Sequence, residues 1–496
     1  MSKPLSCLFL LGLVSVYLLF GCGAATNTSP IIPNANNFPV LAFSDLHFNP
    51  FYDPNFTNYT ALCTSADSSD WPSLFLHGST IKTPSVWGTD TNYPLLVLAL
   101  DSIKQNLGAS PLVIYTGDLI GHDFQALYYW HCQGLPAPPA IQSPSAQQVA
   151  AMQVFTDETI AFVTGQIRAK VGNLSVLFAV GNIDSYTGYG PDSTFLANTA
   201  ETFYKQFVSG TVDHQTFINT FTSGGYYSAQ PLGSNLVVIG LNTNVMANGV
   251  PGDNDSAVAA ELSWLDSTLA SAQAAGKKVW LLMHVPPGAN TTATADSIVT
   301  GQPVTGSMMM YQTYQTNFLQ VLAKYPGVIT MTLGAHTHMD EYRILSPSIV
   351  LDEVPAITPC FGENPAFKIF TLTGNTLTPT DYTSLNFDLA ASPQPTQFNS
   401  YYTFSTAYSL RGPLNASLLQ LYPQLENDIL LTKTQPKAQQ ALYIGQYNSG
   451  NATLQNPNSQ PPGAPWNPIT NTNWPVFACG IGKMAQLDFE DCVNSY

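Results

Sequence analysis

The chain has 496 residues, enough for two or three structural units, and its hydrophobic content of 45% can fill a large core. Only 9% of residues are charged, the formal net charge is −16, and Lys and Arg together number 15. That balance excludes a nucleic-acid partner, because few cations are present to neutralise a phosphate backbone; it does not exclude small phosphorylated ligands, which a metal can hold.

Lys3 precedes an apolar run from Cys7 to Phe20 that is broken only by Gly12 and Ser15, and Gly21 to Ala25 are small. The run is short for a membrane span and reads as a signal peptide over residues 1–25. Leu19-Phe20-Gly21-Cys22 also resembles a lipobox, in which case Cys22 would carry a lipid anchor. A small, polar linker follows over 26–38. Export permits disulfides. Cys63, Cys132, Cys360, Cys479 and Cys492 lie beyond the leader, an odd number that leaves one unpaired within the chain. Cys479 and Cys492 are close enough in sequence to bridge the tail, and Cys63 with Cys132 is a second candidate pair. Eight Asn-x-Ser/Thr sequons, at Asn27, Asn55, Asn58, Asn173, Asn254, Asn290, Asn415 and Asn451, are candidate glycan sites.

From Val40 the pattern alternates. Val40–Phe43 reads as a strand running into Asp45 and His47; Pro94–Leu107 as a helix; Leu112–Tyr115 as a strand running into Gly117-Asp118. Thr156–Val171 reads as a helix with Thr156 as N-cap, and Val176–Val180 as a strand running into Gly181-Asn182. Leu236–Leu241 is a strand, Val258–Ala275 a helix, and Val279–Met283 a strand running into His284. Tyr311–Tyr325 is a helix, and Val328–Leu333 a strand leading to His336 and His338. This alternation predicts an α/β fold with polar residues gathered at the C-terminal ends of its strands, the edge where sites assemble. The chain after residue 385 turns Tyr-, Asn- and Pro-rich, with a helix over Ala416–Leu430 and an extended surface segment over 448–474.

Asp45, His47, Asp118, Asn182, His284, His336 and His338 are seven candidate metal ligands, each just past an apolar strand. Their mixture of imidazole, carboxylate and amide suits Zn²⁺ above all, with Mn²⁺ or Fe²⁺ as alternatives, rather than Ca²⁺. Alternate residues at a strand end project to one side, so Asp45 with His47, and His336 with His338, can converge. Asp118 can bridge two ions, since a carboxylate has two oxygens. Two divalent ions about 3.5–4 Å apart activate a bridging hydroxide and clamp a phosphoryl group for in-line attack. Singly these motifs are weak; a His after a strand is usually a hydrogen-bonded structural residue. In this order they point to a two-metal centre.

The pattern resembles the calcineurin-like metallophosphoesterase superfamily, and within it the acid sphingomyelinase-like phosphodiesterases. The resemblance runs from about Val40 to Phe387 and rests on Ser44-Asp45-Leu46-His47-Phe48-Asn49, on the stretch from Gly117-Asp118 to His122-Asp123, on Ala335-His336-Thr337-His338, and on the segment Ile357 to Phe367. It implies two central mixed β-sheets flanked by helices over residues 39–384, with a small, mainly helical C-terminal subdomain over 385–496. It implies one metal held by Asp45, His47, Asp118 and His338, and another by Asp118, Asn182, His284 and His336. It also implies His122 beside the phosphate and a C-terminal Cys479–Cys492 bridge. One departure stands out: where the family commonly has Gly-Asn-His, this chain has Gly181-Asn182-Ile183, and Ile183 cannot protonate a leaving group. His122 is the candidate general acid in its place, with Asp118 and Asn182 as the other catalytic candidates. Gly121 stands where a purple acid phosphatase would need its Tyr ligand.

The expected activity is hydrolysis of a phosphodiester or phosphoanhydride outside the cytoplasm by a monomeric enzyme. Candidate substrates are a choline-phosphate lipid, a nucleotide or polyphosphate; membrane contact has no basic amphipathic helix to support it. Met308 to Tyr311, Tyr186, Tyr189 and His214 are candidate pocket residues, with core packing as the plainer role for the methionines. The alternatives are a catalytically impaired metal-binding surface protein, suggested by Ile183, and a structural surface glycoprotein.

Overall fold

The computed structural model describes residues 37–65, 67–233, 235–250, 254–299, 301–431, 438–451 and 469–496. The signal peptide, Cys22, almost all of the linker, and most of the segment over 448–474 lie outside these residues. Among the described residues twelve strands are formed: β1 Phe38–Phe43, β2 Leu112–Tyr115, β3 Ser175–Phe178, β4 Tyr227–Ala229, β5 Leu236–Gly240, β6 Lys278–Leu282, β7 Ile329–Gly334, β8 Tyr342–Ser346, β9 Ile349–Glu353, β10 Ala366–Leu372, β11 Pro379–Asn386 and β12 Asn399–Thr403. They build two six-stranded sheets, ordered β12-β11-β10-β1-β2-β3 and β4-β5-β6-β7-β9-β8. β1, β2 and β3 run parallel, as do β5, β6, β7 and β9, while β10, β4 and β8 pair antiparallel with their neighbours. The fold is therefore α/β, with two mixed sheets flanked by helices.

The strands are apolar because both faces are covered. All four residues of β2 are buried. In β6 the side chains alternate: Trp280 and Leu282 join the large core shared with the first sheet, and Val279 and Leu281 join a second core. Helices Asp255–Ala274 and Gln312–Ala323 cover that second core with Leu262, Leu265, Leu269, Phe318 and Leu322. Helices Tyr93–Asn106 and Ala146–Val171 pack against the first sheet's core through Leu96, Leu100, Phe155 and Ile160. The second of these begins ten residues before Thr156. Ser145 and Gln148 close a capping box there, and the Thr156 hydroxyl instead donates to the Met152 carbonyl within the helix.

Residue 384 falls inside β11, and β12 extends the first sheet further. Beyond it the chain is mainly helical, and Leu414, Leu418, Trp474 and Phe477 share the large core. Cys63–Cys132 and Cys479–Cys492 are disulfides; Cys360 is free and buried. Among the described residues no helix is long and apolar enough to cross a membrane.

Candidate metal centre

The parallel strands of both sheets deliver their C-terminal ends to one edge, and backbone bonds stitch the loops there together. Asp45 N–H donates to Gly117 O (2.9 Å) and His47 N–H to Asp118 O (3.0 Å); Ala335 N–H donates to His284 O (3.1 Å). The crossover from β9 to β10 joins the halves, for Ala356 N–H donates to His338 O (3.1 Å) and Thr358 N–H to Asp45 O (3.0 Å). Asp45, His47, Asp118, His336 and His338 all have positive φ, between 42° and 74°. Left-handed backbone at non-glycine residues costs free energy and is held where the surroundings over-determine it. Close approach fixes two glycines: a Cβ on Gly181 would lie 2.0 Å from Asp118 Oδ1, and one on Gly117 would lie 2.6 Å from His284 Nδ1.

The seven expected ligands converge as two groups around Asp118. His47 Nε2 lies 3.8 Å from Asp45 Oδ1 and 3.3 Å from Asp118 Oδ2, and His338 Nε2 lies 3.5 Å from Asp45 Oδ1. On the other side His284 Nε2 lies 3.1 Å from Asp118 Oδ2, while Asn182 Oδ1 lies 2.7 Å from His284 Nε2 and 2.8 Å from His336 Nδ1. The ligand atoms of Asp45, His47 and His338, and those of Asp118, His284 and His336, are each close enough to hold one ion. One carboxylate oxygen, Oδ2, faces both groups, where two separate oxygens were expected. Oδ1 is engaged by the Ile183 N–H at 2.8 Å.

Two observations bear on whether a cation fits. Both oxygens of Asp45 and both ring nitrogens of His47 are buried without a hydrogen-bond partner, which is costly for such polar atoms. The His284 Nδ1–H donates to Thr116 O (2.7 Å), so Nε2 needs a second proton or a cation to face the oxygens of Asn182 and Asp118. Burial disfavours charge on His284, yet the Asp118 carboxylate outweighs it and raises the ring to about 9. Burial likewise opposes ionisation of Asp118, but His284 and His47 hold it well below the usual carboxylate range. Burial and then the His47 charge keep His338 neutral, the form that binds metal. The donor set fits a divalent cation in each group.

Further residues brace the donors. Asp184 accepts from the backbone N–H groups of Asp118 (3.1 Å), Leu119 (2.7 Å) and Gly181 (3.1 Å), tying the two Gly-containing loops together. Burial and the Asp118 charge push it up to about 6. His338 Nδ1 donates to Glu363 Oε1 (3.1 Å), with Cys360 Sγ at 3.5 Å, which aims Nε2 at Asp45. His122 lies beside the centre, its ring stacked on His47 at 4.2 Å, with Nδ1 2.8 Å from Asp90 Oδ1. Asp90 also accepts from His122 N–H (2.7 Å). Asp90 was not singled out in sequence, since a lone carboxylate distant along the chain carries no local signal, and Glu363 and Cys360 lay within the resembling segment Ile357 to Phe367 without a role assigned to either.

A cavity of about 440 Å³ opens on Asp118, His122, Asn182, His336 and His338. Its walls include Ile183, Tyr189, Met309, Met339 and Phe361, and among the described residues no Lys or Arg lines it. Of the candidate pocket residues, Tyr189 and Met309 reach it. Met308 packs in the large core and Met310 in the second, Tyr186 bonds Asp157, and His214 pairs with Glu201 at 2.8 Å on the surface.

No family model matches the chain. It is 26% identical over 403 residues to sphingomyelin phosphodiesterase B of Dictyostelium discoideum, across 75% of this chain and 55% of that protein. It is 26% identical over 365 residues to the cyclic GMP-AMP phosphodiesterase SMPDL3A of Homo sapiens, across 69% of this chain and 70% of that one. The SMPDL3A of Mus musculus matches at 26% over 448 residues, across 85% and 84% of the two chains. Among solved structures, a dimetal phosphatase from Danio rerio superposes with a TM-score of 0.39 at 10% identity, over 70% of this chain and 95% of that one.

Proposed function

We infer, from the chain's homology to the sphingomyelin phosphodiesterases and SMPDL3A phosphodiesterases, that it is a two-metal hydrolase of phosphodiesters. The observation that carries the reading is the meeting of two donor groups on one oxygen, Asp118 Oδ2, at the floor of the cavity. We assign one ion to Asp45, His47, Asp118 and His338, and the other to Asp118, Asn182, His284 and His336. Zn²⁺ suits this imidazole-rich set, with Mn²⁺ and Fe²⁺ as alternatives. Bound there, the pair of ions supplies Lewis acidity toward the phosphoryl oxygens and activates water as the nucleophile.

The protein's own groups do the rest. Asp118 holds both halves of the centre through one oxygen while the Ile183 N–H restrains the other. Asn182 presents its carbonyl oxygen and so orients His284 and His336 together. Ile183 offers no proton to the departing oxygen, and His122 takes that role. Its Nδ1–H donates to Asp90, its ring is stacked on His47, and its Nε2 is left to carry the proton to the leaving group.

The Asp296 carboxylate in the cavity wall, with no Lys or Arg there among the described residues, favours a diester with a single negative charge over nucleoside triphosphates and polyphosphate, whose extra charges it would repel. The leader-like N-terminus and the two disulfides support a site of action outside the cytoplasm. The test is hydrolysis of bis-p-nitrophenyl phosphate by the purified protein, before and after removal of metal with a chelator. Turnover that is lost on chelation and restored by Zn²⁺ or Mn²⁺ supports the reading. Turnover indifferent to the chelator, or none with metal supplied, refutes it.

A further inference from the structure

One wall of the cavity is formed by a single stretch of chain that leaves the centre at His284. Asn290, Thr291, Thr292 and Ala293 line the cavity at the start of this stretch, and Met309 lines it at the end. The segment between them is anchored by two helices within residues 474–494. Helices Trp474–Gly482 and Gln486–Asn494 form a hairpin closed by the Cys479–Cys492 disulfide.

The hairpin grips this wall at several points. The Asn494 side-chain amide accepts from Val304 N–H (2.7 Å) and donates to Val304 O (3.0 Å), pairing with both backbone groups as a neighbouring strand would. Glu490 Oε1 accepts from Gly306 N–H (2.8 Å). Packing leaves no slack: a Cβ on Gly306 would lie 2.8 Å from Phe489, and one on Gly480 would lie 2.5 Å from Thr291. Gln315 extends the bracing, donating to Met484 O (2.6 Å) and accepting from Gly288 N–H (2.6 Å).

We propose that this C-terminal hairpin is a specificity clamp: by fixing the wall that carries Thr291, Thr292 and Met309 it sets the space open to the organic substituent of a phosphodiester, without contributing a donor to the metal centre. The proposal rests on the reading of the centre as a phosphodiesterase site. Away from the centre the wall sets apolar Ile183, Met309, Met339 and Phe361 beside one carboxylate, Asp296, so the substituent it sizes is a bulky group without negative charge. Asn494 and Glu490 are positioning residues, acting through the wall rather than on the substrate.

The test uses the full chain carrying Asn494→Ala with Glu490→Ala, a pair that leaves the disulfide and the buried hairpin residues in place. For bis-p-nitrophenyl phosphate, KM rises about tenfold with kcat within about twofold of wild type, whereas the constants for the smaller methyl p-nitrophenyl phosphate change by less than about twofold. Metal content is unchanged. Hydrogen exchange at residues 301–310 accelerates in the variant. Equal effects on both diesters, a fall in kcat alone, loss of metal, or unaltered exchange at 301–310 would each overturn the clamp. Should wild-type protein hydrolyse neither diester, the phosphodiesterase reading fails by itself, and the exchange measurement still decides whether the hairpin holds the wall.

Discussion

The proposed mechanism gives Asp118 and His122 separate tasks. Asp118 Oδ2 lies 3.3 Å from His47 Nε2 and 3.1 Å from His284 Nε2, so its loss disconnects both donor groups. In the proposed role His122 acts only through a proton, so its contribution should depend on how badly the leaving oxygen needs one. His122→Ala should lower kcat/KM about 10²–10³-fold for a diester with an alkyl leaving group and less than about tenfold for one leaving as p-nitrophenolate. Asp90→Asn should shift in the same direction by a smaller amount. Steady-state kinetics across a series of leaving groups checks both; equal losses along the series would remove His122 from the acid role. The proposed ligands could be named from the sequence because each follows an apolar strand. The Asp90 partner was not, because His122 and Asp90 are 32 positions apart and meet only through the fold.

Elements differ in how plainly they announce themselves. β2 and β5 are unbroken buried apolar runs, β6 is one after its first residue Lys278, and their bounds were read to within a residue or so. β8 and β9 escaped notice because they carry Arg343, Asp352 and Glu353, which read as surface charges yet are buried. Charge is tolerated there because it is paired: Arg343 Nε donates to Glu353 (2.5 Å), and its Nη1 to the carbonyls of Pro287 (3.0 Å) and Ala289 (2.8 Å). Lys368 on β10 meets Asp340 at 2.7 Å and Asp352 at 2.5 Å. The Arg343 fork thus binds β9 to the loop after His284. Glu353 also accepts from the Thr337 hydroxyl (2.6 Å), between the two histidines of the centre. Arg343→Met leaves Glu353 buried and unpaired and should cost about 3–5 kcal/mol of stability in chemical denaturation. A loss under about 1 kcal/mol would mean that the network braces nothing. The helices Ser193–Phe203 and His214–Gly224 were missed for another reason: they are rich in Thr, Ser and Asn, and their Asp192 and Asp213 caps were not recognised as starts.

At the scale of the whole molecule, stability itself should respond to pH through a group remote from the proposed ligands. Glu261 is buried, accepts the Asn242 N–H through Oε1 while its Oε2 has no hydrogen-bond partner among the described residues, and is raised by burial from 4.5 to about 8. Between those values the unfolded chain has released the proton and the folded protein keeps it. Stability therefore falls as pH rises across that window, by up to about 1.4 kcal/mol per pH unit, and levels off above it. Glu261→Gln should flatten the dependence of Tm on pH and raise Tm relative to wild type more at pH 8 than at pH 5. Parallel curves would contradict this assignment. The α/β class was legible through the alternation of strands and helices and the two sheets through the family resemblance alone, whereas the anchoring of a cavity wall by residues 474–494 was not, since it joins positions more than 180 residues apart. The central claim, a pair of metals bridged by Asp118, is tested most directly by elemental analysis and diester turnover on the same samples of wild type and Asp118→Asn. The account predicts about two transition-metal ions per wild-type chain, no more than about one in the variant, and turnover reduced at least about 10³-fold. Wild-type protein without transition metal after exposure to Zn²⁺ or Mn²⁺, or a variant that keeps both its metals and its activity, would contradict it.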